Sequence, residues 1–389
     1  MRLKPAGQRY APEDLLARLV SFDSTSRNSN LPIIDFIEAY LASWGVASQR
    51  IDHVPGVKTN LLASIGPAIA GGVVLSGHTD VVPVDGQTWS TPPFELTARD
   101  GKLYGRGACD MKGFLAVALA HVPEFLAAGL KRPVHFAWSC DEEIGCNGVR
   151  PLVAEMARAL PKPAAVIVGE PTLMRVVNAH KGVLTYATEV TGHEAHSSLT
   201  DRGVNAITVA AEMIGEAERI ALEFRARGDA SGRFDPPYST LHVGTITGGT
   251  VRNIVPRYCR FDWETRLIPG ADPEEAPVRL GNFARGLQSK MKAVAPDAGI
   301  ATRRTNAIPA LAPEPDAPAE ALAFQLAGAN TATAVSYCTE AGHFQAAGMS
   351  TVICGPGSIE QAHRPDEYIA RSELALCSQF MSRLIAHLR

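Results

Sequence analysis

The segment from Val73 to Pro83, with the sequence VVLSGHTDVVP, constrains the fold more than any other part of the chain. It begins as a nearly continuous apolar run, which suits a strand buried on both faces of a parallel sheet. The run ends in His78 and Asp80, whose polar groups cannot share that burial without partners. We therefore expect both side chains at the carboxyl end of a strand, the edge at which open α/β sheets bind ligands.

Length and composition favour a soluble protein of two domains. The chain has 389 residues, of which 46% are apolar and 20% charged, and this length exceeds that of one ordinary core. A net charge of −3 and the lack of a long Lys/Arg run argue against nucleic acid or an anionic membrane as a partner. We expect a small-molecule partner instead.

The N-terminal sequence and the cysteines predict a cytoplasmic protein. The first residues lack an apolar signal core, and no stretch reaches the roughly 18 apolar residues of a spanning helix. The seven cysteines lack a Cys-x-x-Cys spacing and lie mostly in apolar segments. Such a pattern is typical of reduced, packed thiols, and we expect no disulfide framework.

Strands and helices alternate along the first part of the chain. This alternation indicates a doubly wound, mostly parallel sheet, which is an α/β fold. The predicted helices span residues 11–21, 32–41, 113–128 and 372–388, and the predicted strands span 60–65, 73–77, 134–139, 164–169 and 351–354.

The pattern changes between residues 182 and 304. Here the predicted order is strand, helix, strand, strand, helix, strand, which is that of a ferredoxin-like β-α-β-β-α-β domain. A proline-rich segment at 309–318 then marks the return to the first domain. We therefore expect an inserted domain at 182–304 and a discontinuous first domain formed by 1–181 and 305–389.

Polar side chains follow buried strands at four places in the first domain, and a fifth lies in a glycine-rich loop. Equivalent ends of parallel strands lie along one edge of a sheet, so these groups can converge although they are far apart in sequence. They are His78, the Asp141-Glu142-Glu143 run, Glu170 and His363 after the strands, and Asp110 in the loop GRGACDMKG.

Two imidazoles and several carboxylates on one rim predict a metal site. Carboxylates packed closely repel one another and protonate unless a cation neutralises them. One carboxylate that bridges two divalent ions roughly 3.5 to 4 Å apart gives a dinuclear hydrolytic site. A further carboxylate must then accept a proton from water, and either Glu142 or Glu143 can do so. The alternative for this acidic run is a solvated loop.

Several motifs resemble those of the dinuclear zinc amidohydrolase family, to which aminoacylase, succinyl-diaminopimelate desuccinylase and glutamate carboxypeptidase belong. The resemblance covers nearly the whole chain. Its motifs are HTD at 78–80, GRGACDMKG at 105–113, DEE at 141–143, GEP at 169–171, GHEAHSS at 192–198 and GPGSIEQAHRPDEY at 355–368.

The resemblance implies two divalent metal ions, with zinc first and cobalt or manganese as alternatives. It implies that His78, Asp110 and Glu170 hold one ion, that Asp110, Glu143 and His363 hold the other, and that Asp110 bridges the two. It also implies a cis peptide bond after Asp110.

The same resemblance implies the roles of three further residues. Glu142 is expected to be the general base and then the acid that protonates the leaving amine. Asp80 is expected to orient His78. The 182–304 domain is expected to form a homodimer, in which His196 reaches the partner's active site and stabilises the oxyanion. A simple turn residue remains the alternative for His196.

Substrate recognition is implied for three residues. Asn253 and Arg266 match positions that grip the substrate, and a guanidinium suits bidentate capture of an α-carboxylate. Glu340 either meets a cationic substrate tail or is a helix-start acid satisfied by local backbone. Cys338, where relatives often have glycine, lies in the same segment.

The implied reaction is hydrolysis of the amide of an N-acyl amino acid. The favoured substrate is N-acetyl-L-ornithine, which would give L-ornithine and acetate. Other N-acyl amino acids, such as N-acetylcitrulline, the substrates of aminoacylase or succinyl-diaminopimelate, remain alternatives, as does a non-catalytic binding protein that keeps the fold.

Overall fold

The computed structural model describes residues 9–389, and these form two compact units. The first contains residues 9–179, 313–333 and 339–389, and the second contains 180–312 and 334–338. The inserted unit extends beyond the expected residue 304 because its last strand continues to Ile308 and Leu311 still pairs with His180. The short segment 334–338 had no sequence signal that assigned it to the second unit.

The regular elements follow one another along the chain as listed here. The strands are β1 (Ser48–Val54), β2 (Lys58–Ile65), β3 (Val73–His78), β4 (Thr97–Arg99), β5 (Lys102–Tyr104), β6 (Val134–Ser139), β7 (Ala165–Pro171), β8 (Val176–His180), β9 (Gly182–Thr191), β10 (Thr240–Gly248), β11 (Tyr258–Leu267), β12 (Gly299–Ile308), β13 (Ala332–Val335), β14 (Thr351–Gly355) and β15 (Tyr368–Ala370). The α-helices are α1 (Pro12–Val20), α2 (Leu31–Ser43), α3 (Gly113–Ala120), α4 (Val122–Ala127), α5 (Val149–Ala159), α6 (Ala206–Arg227), α7 (Glu275–Val294), α8 (Pro318–Ala327), α9 (Ala341–Ala346) and α10 (Arg371–Leu388).

The large sheet has the strand order β1-β2-β6-β3-β7-β14-β8-β13, and its centre is parallel. Strand β3 lies between β6 and β7 and runs parallel to both, and all six of its residues are buried. The α/β prediction is confirmed, although antiparallel pairs such as β1 with β2 and β2 with β6 extend one side of the sheet. Because β3, β6, β7 and β14 share one direction, their carboxyl ends lie along one edge.

Helix α3 is the central packing helix of the first unit. Every residue of its sequence GFLAVALA is buried, and it contacts α1, α10, β3 and β7. A single helix over 113–128 was expected, but the structure has two, separated at His121. Pro123 lies in the first turn of α4, where a residue needs no N–H for a helical hydrogen bond. In the middle of one long helix the missing N–H would cost a hydrogen bond, so the proline separates α4 from α3.

The second unit is an antiparallel sheet with the order β10-β11-β9-β12 and two long helices. Helices α6 and α7 pack on it over a core that includes Phe261, Met213 and Leu280. Tyr186 and Trp263 stack within this unit, with ring centroids 4.1 Å apart. Its element order is the β-α-β-β-α-β order expected from the sequence, with β10 and β12 at the two edges.

Among residues 9–389, no helix is long and apolar enough to cross a membrane. None of the seven cysteines, all of which lie within residues 9–389, forms a disulfide bond, and six of them are buried.

A buried histidine in the large sheet predicts a loss of stability in mild acid. His135 on β6 is 3% exposed and its Nδ1 lies 2.7 Å from the Ser64 hydroxyl. Burial lowers the pKa of His135 to about 4. The unfolded chain therefore takes up this proton near pH 6.5 and the folded chain does not, so stability present above pH 6.5 is lost as the pH falls towards 4.

We expect the protonation of His135 in the unfolded chain to lower the free energy of unfolding by about 2 kcal/mol between pH 7 and pH 5. The measurement is urea unfolding of the wild type and of His135→Leu at both pH values. The free energy of unfolding of the wild type should fall by about 2 kcal/mol more than that of the variant over this interval, because the other titrating groups are common to both proteins. Equal losses would contradict the assignment of His135 as a neutral, buried imidazole.

Candidate metal centre

The first ligand group lies where two parallel strands of the large sheet end. His78 ends β3 and Glu170 lies near the end of its neighbour β7, with Asp110 opposite them. The His78 Nε2 atom is 3.0 Å from Asp110 Oδ1 and 3.8 Å from Glu170 Oε1. All three side chains are buried. The sheet direction therefore brings together residues that are almost a hundred positions apart.

Glycine at position 169 is required for the placement of Glu170. A Cβ atom at Gly169 would lie 2.1 Å from the ring of Phe114 on α3. Glycine therefore lets α3 pack closely against the end of β7, which is the segment that carries Glu170.

Asp110 lies in an irregular turn between Gly107 and α3. Gly107 has a φ of 78°, in the left-handed region that favours glycine, and the Asp110-Met111 peptide is cis, as expected. The backbone N–H groups of Gly107, Cys109 and Asp110 donate to the carboxylate of Glu367 over 2.9, 2.9 and 3.0 Å. Sequence reasoning missed Glu367, although it lies inside the 355–368 motif.

The second ligand group contains Asp110, Glu143 and His363. The His363 Nε2 atom is 2.9 Å from Glu143 Oε2 and 3.5 Å from Asp110 Oδ2. Asp110 thus turns Oδ1 towards His78 and Oδ2 towards His363. This is the geometry of a carboxylate shared between two adjacent sites.

The titration properties of these residues fit divalent cations. Burial, and then the negative charge of Asp110, raises the pKa of Glu143 to about 7 and raises that of Glu170 well above its usual value. Hydrogen bonds to Asp110 and Glu143 raise the pKa of His363 to about 10. Glu143, Glu170 and His363 therefore hold their protons strongly, and a divalent cation could replace those protons. In each group, the potential ligand atoms lie within 4.8 Å of one another, and carboxylate oxygens with imidazole nitrogens suit zinc and similar ions.

The Asp80 carboxylate forms hydrogen bonds with the backbone of Glu142 and Glu143 and not with His78. Its Oδ1 accepts the N–H of Glu142 over 3.2 Å, and its Oδ2 accepts the N–H of Glu143 over 3.3 Å and the Ser26 hydroxyl over 2.7 Å. The His78 Nδ1 atom is 2.9 Å from the Asp80 carbonyl oxygen but 3.8 Å from its carboxylate. The shorter contact to His78 is thus made by the backbone of Asp80, which differs from the expected carboxylate contact.

The run from Asp141 to Glu143 is buried or half-buried, so the alternative of a solvated loop is wrong. Asp141 is 4% exposed and its Oδ1 lies 2.6 Å from the buried ammonium of Lys58. The thiol of Cys146 donates to Glu142 Oε1 over 3.1 Å. Glu143 points to His363, whereas Glu142 belongs to neither ligand group.

Three predicted site residues belong to the second unit. His196 is an exposed side chain whose Nδ1 lies 2.7 Å from the Ser198 hydroxyl. The N–H of Ser197 donates to the carbonyl of Asn253 over 3.1 Å, so the His196 loop and Asn253 lie side by side. The Arg266 Nε atom donates to Glu264 over 2.8 Å.

Glu340 lies directly before α9, so the expected helix-start position is found, but its side chain makes no hydrogen bond that caps this helix. The side chain is fully buried in the first unit, and its two oxygens accept hydrogen bonds from the Ser76 and Ser139 hydroxyls over 2.7 and 2.6 Å. The Glu340 carboxylate is therefore bound by two serine hydroxyls and not by local backbone, and it is not exposed to a substrate amine. Glu340 instead links β3 and β6 just before these strands reach the metal ligands.

An α/β unit with two carboxylate and imidazole groups that share one aspartate is characteristic of metallohydrolases with two ions. The chain belongs to peptidase family M20/M25/M40, whose sequence profile matches residues 74–387.

Two similar proteins are acetylornithine deacetylases. The one from Myxococcus xanthus is 36% identical, with 96% of each chain covered. The one from Proteus mirabilis (strain HI4320) is 34% identical, with 93% of this chain and 91% of the relative covered.

Solved structures share the fold at lower identity. Aminopeptidase PepT from Bacillus cereus superposes with a TM-score of 0.74 at 19% identity, covering 97% of this chain and 98% of its own. The M20 family metallo-carboxypeptidase Sso-CP2 from Sulfolobus solfataricus also gives 0.74, at 18% identity and with the same coverage. The YXEP protein of Bacillus subtilis, described as a dinuclear metal binding peptidase, gives 0.69 at 15% identity and covers 97% of each chain.

Proposed function

We propose that this protein hydrolyses the amide bond of N-acyl amino acids, and that N-acetyl-L-ornithine is its main substrate. The observation that carries the proposal is the sharing of Asp110 between the His78 and His363 ligand groups, with a further carboxylate, Glu142, beside them. The names of the two deacetylases that are over 30% identical support the choice of substrate.

The metal ligands in this proposal are the five residues of the two groups. His78, Asp110 and Glu170 would hold one ion, and Asp110, Glu143 and His363 the other. Zinc is the first choice, with cobalt or manganese as alternatives that accept the same oxygen and nitrogen donors. Such ions would polarise the scissile carbonyl and lower the pKa of a bound water molecule.

Glu142 is the proposed proton carrier. Its carboxylate is next to the ligand Glu143 in sequence but is absent from both ligand groups. It would accept the proton of the attacking water and then donate it to the nitrogen of the leaving amine. The N–H groups of Glu142 and Glu143 both donate to the Asp80 carboxylate, so one side chain holds the backbone of the base and of the ligand.

The second unit is the proposed dimerisation domain. Strand β10 lies at the edge of its sheet, where unpaired backbone groups can pair with a second copy. The nearby apolar side chains of Ile246, Val251 and Tyr258 are all about half exposed, as expected for a surface that becomes covered. His196 would then enter the partner's active site and donate to the oxyanion of the tetrahedral intermediate.

Substrate recognition is proposed for Asn253 and Arg266. Arg266 already holds a carboxylate, that of Glu264, through its Nε atom, and the substrate's α-carboxylate would be a second acidic partner for the same guanidinium. Asn253 adjoins the His196 loop and could fix the acyl group beside it. A reducing cytoplasmic location is proposed as well, since buried free thiols such as Cys354 and Cys377 are typical of that compartment.

A substrate panel tests the proposal. We expect N-acetyl-L-ornithine to give the highest kcat/KM when it is compared with N-acetylcitrulline, N-acetylmethionine, succinyl-diaminopimelate and an unmodified dipeptide. Each assay is run with added zinc, cobalt or manganese, and a chelator should abolish turnover until metal is restored. Higher kcat/KM for another acyl amino acid or for the dipeptide would change the substrate, and no hydrolysis with any metal would favour a binding protein.

A further inference from the structure

His363 differs from the other four metal ligands in how it is held. Its side chain is 55% exposed, whereas those of His78, Asp110, Glu143 and Glu170 are at most 7% exposed. Its φ of 64° lies in the left-handed region, which is uncommon for a residue with a side chain. His363 also lies in a loop after a short helical turn and not on a strand. Burial and regular secondary structure therefore do little to fix the position of this imidazole.

Gln87 makes a hydrogen bond that holds the His363 backbone. Its Nε2 atom donates to the His363 carbonyl over 2.9 Å. Its Oε1 atom accepts from Arg106 Nη2 over 2.6 Å and from Trp89 Nε1 over 3.1 Å. Because arginine and tryptophan side chains can only donate, they fix which end of the Gln87 amide is oxygen. The nitrogen is thus left to face His363.

Arg106 extends this contact to the loop that carries Asp110. Its Nη1 atom lies 2.7 Å from Glu367 Oε2, and both side chains are 1% exposed. Glu367 in turn accepts the N–H groups of three residues in the 107–110 turn, including that of Asp110. A buried ion pair satisfied by further hydrogen bonds keeps a defined geometry, and the removal of one partner is costly.

These contacts join the backbones of two ligands of the second group. The path runs from the His363 carbonyl through Gln87, Arg106 and Glu367 to the N–H of Asp110. The backbone also connects the two ends of this path, since Glu367 follows His363 by only four residues. The first group shares Asp110 with this network, but its other two ligands, His78 and Glu170, are placed by the adjacent parallel strands β3 and β7 and have no link to Gln87 among the contacts described above.

We propose that Gln87, held in place by Arg106 and Glu367, is a positioning residue that sets the separation of His363 from Asp110, and with it the affinity of the second metal site. The inference rests on the proposed function, which assigns two divalent ions to these ligands. Contacts behind the ligands of metal sites typically change metal affinity by about 10- to 100-fold. Loss of the Gln87 contact leaves the Glu367 bond to Asp110 in place, so we expect an effect of this size on the ion held by Asp110, Glu143 and His363 and none on its neighbour.

Substitutions of Gln87 separate the two halves of the network. Gln87→Glu keeps an acceptor for Arg106 and Trp89 but loses the donor to the His363 carbonyl, while Gln87→Met loses both. Gln49→Ala is the control, because Gln49 is an exposed glutamine on the edge strand β1 whose side chain donates to Glu155 over 3.0 Å. Gln87 is itself half-buried, so neither substitution removes a core side chain.

The readout is zinc binding and not turnover. Zn²⁺ is titrated into chelator-stripped protein by calorimetry, with bound zinc counted by elemental analysis after dialysis. Both Gln87 variants should bind the first ion as the wild type does and the second about 10- to 100-fold more weakly. Gln49→Ala should match the wild type at both sites, and all metal-free proteins should melt at the same temperature.

Three results would overturn the inference. One is unchanged binding of both ions in both Gln87 variants. The others are an equal loss of affinity at the two sites and a lower melting temperature of the metal-free variants, since the network would then stabilise the fold and not one site. A wild type that binds a single zinc ion would contradict the dinuclear proposal itself, which is a different pattern from any of these.

Discussion

Glu142→Ala is expected to turn over substrate about 10²- to 10⁴-fold more slowly than the wild type, while it binds the same number of metal ions. The carboxylate of Glu142 belongs to neither ligand group, so its removal leaves the five ligands in place. What is lost is the group that would move a proton from water to the leaving nitrogen. The measurements are kcat on N-acetyl-L-ornithine and elemental analysis of the dialysed protein.

Glu143→Ala is the matched control for this prediction. Its carboxylate lies 2.9 Å from His363 Nε2, and its loss removes one of three ligands of the second group. We expect this variant to lose metal as well as activity. Equal metal contents in Glu142→Ala and Glu143→Ala would mean that the base and the ligand have been assigned to the wrong members of the pair.

The buried centre of the fold was predictable because its residues carry a strong signal. Strands β3, β6 and β7 are mostly apolar, buried runs with polar residues at one end, and such runs suit a parallel sheet that is covered on both faces. The edge strand β1 was missed because its sequence, SQRIDHV, is mostly polar and exposed. Its position depends on pairing with β2 and not on a hydrophobic pattern of its own.

The metal ligands were predictable for a related reason. The hydrogen bonds that hold the segments carrying these ligands were not. A histidine or carboxylate directly after a buried run needs a partner, so its position in the sequence is itself informative. The partners of Asp80, Glu340 and Glu367 are backbone N–H groups and serine or arginine side chains far away in the chain. Every residue except proline has a backbone N–H, so a contact of this kind leaves no pattern in the sequence.

His196→Ala is expected to be nearly inactive, and to recover activity when it is mixed with a different inactive variant. The loss follows from the proposed role of His196 as an oxyanion donor, whose removal costs about 10²- to 10³-fold. A second inactive chain is Glu142→Ala, which keeps His196 but lacks the base. If each active site takes its base from one subunit and His196 from the other, a mixed dimer contains one site with both groups intact.

The expected recovery follows from random exchange of subunits. About half of the molecules become mixed dimers, each with one complete site, so about a quarter of wild-type sites are restored. A pull-down with two different tags must first show that the subunits exchange. If exchange occurs and activity stays at the level of the separate variants, His196 acts within its own chain or takes no part in the reaction. His196 and its hydrogen-bond partner Ser198 are both exposed, so the substitution removes a surface side chain and not a core one, which makes the test a sharp one.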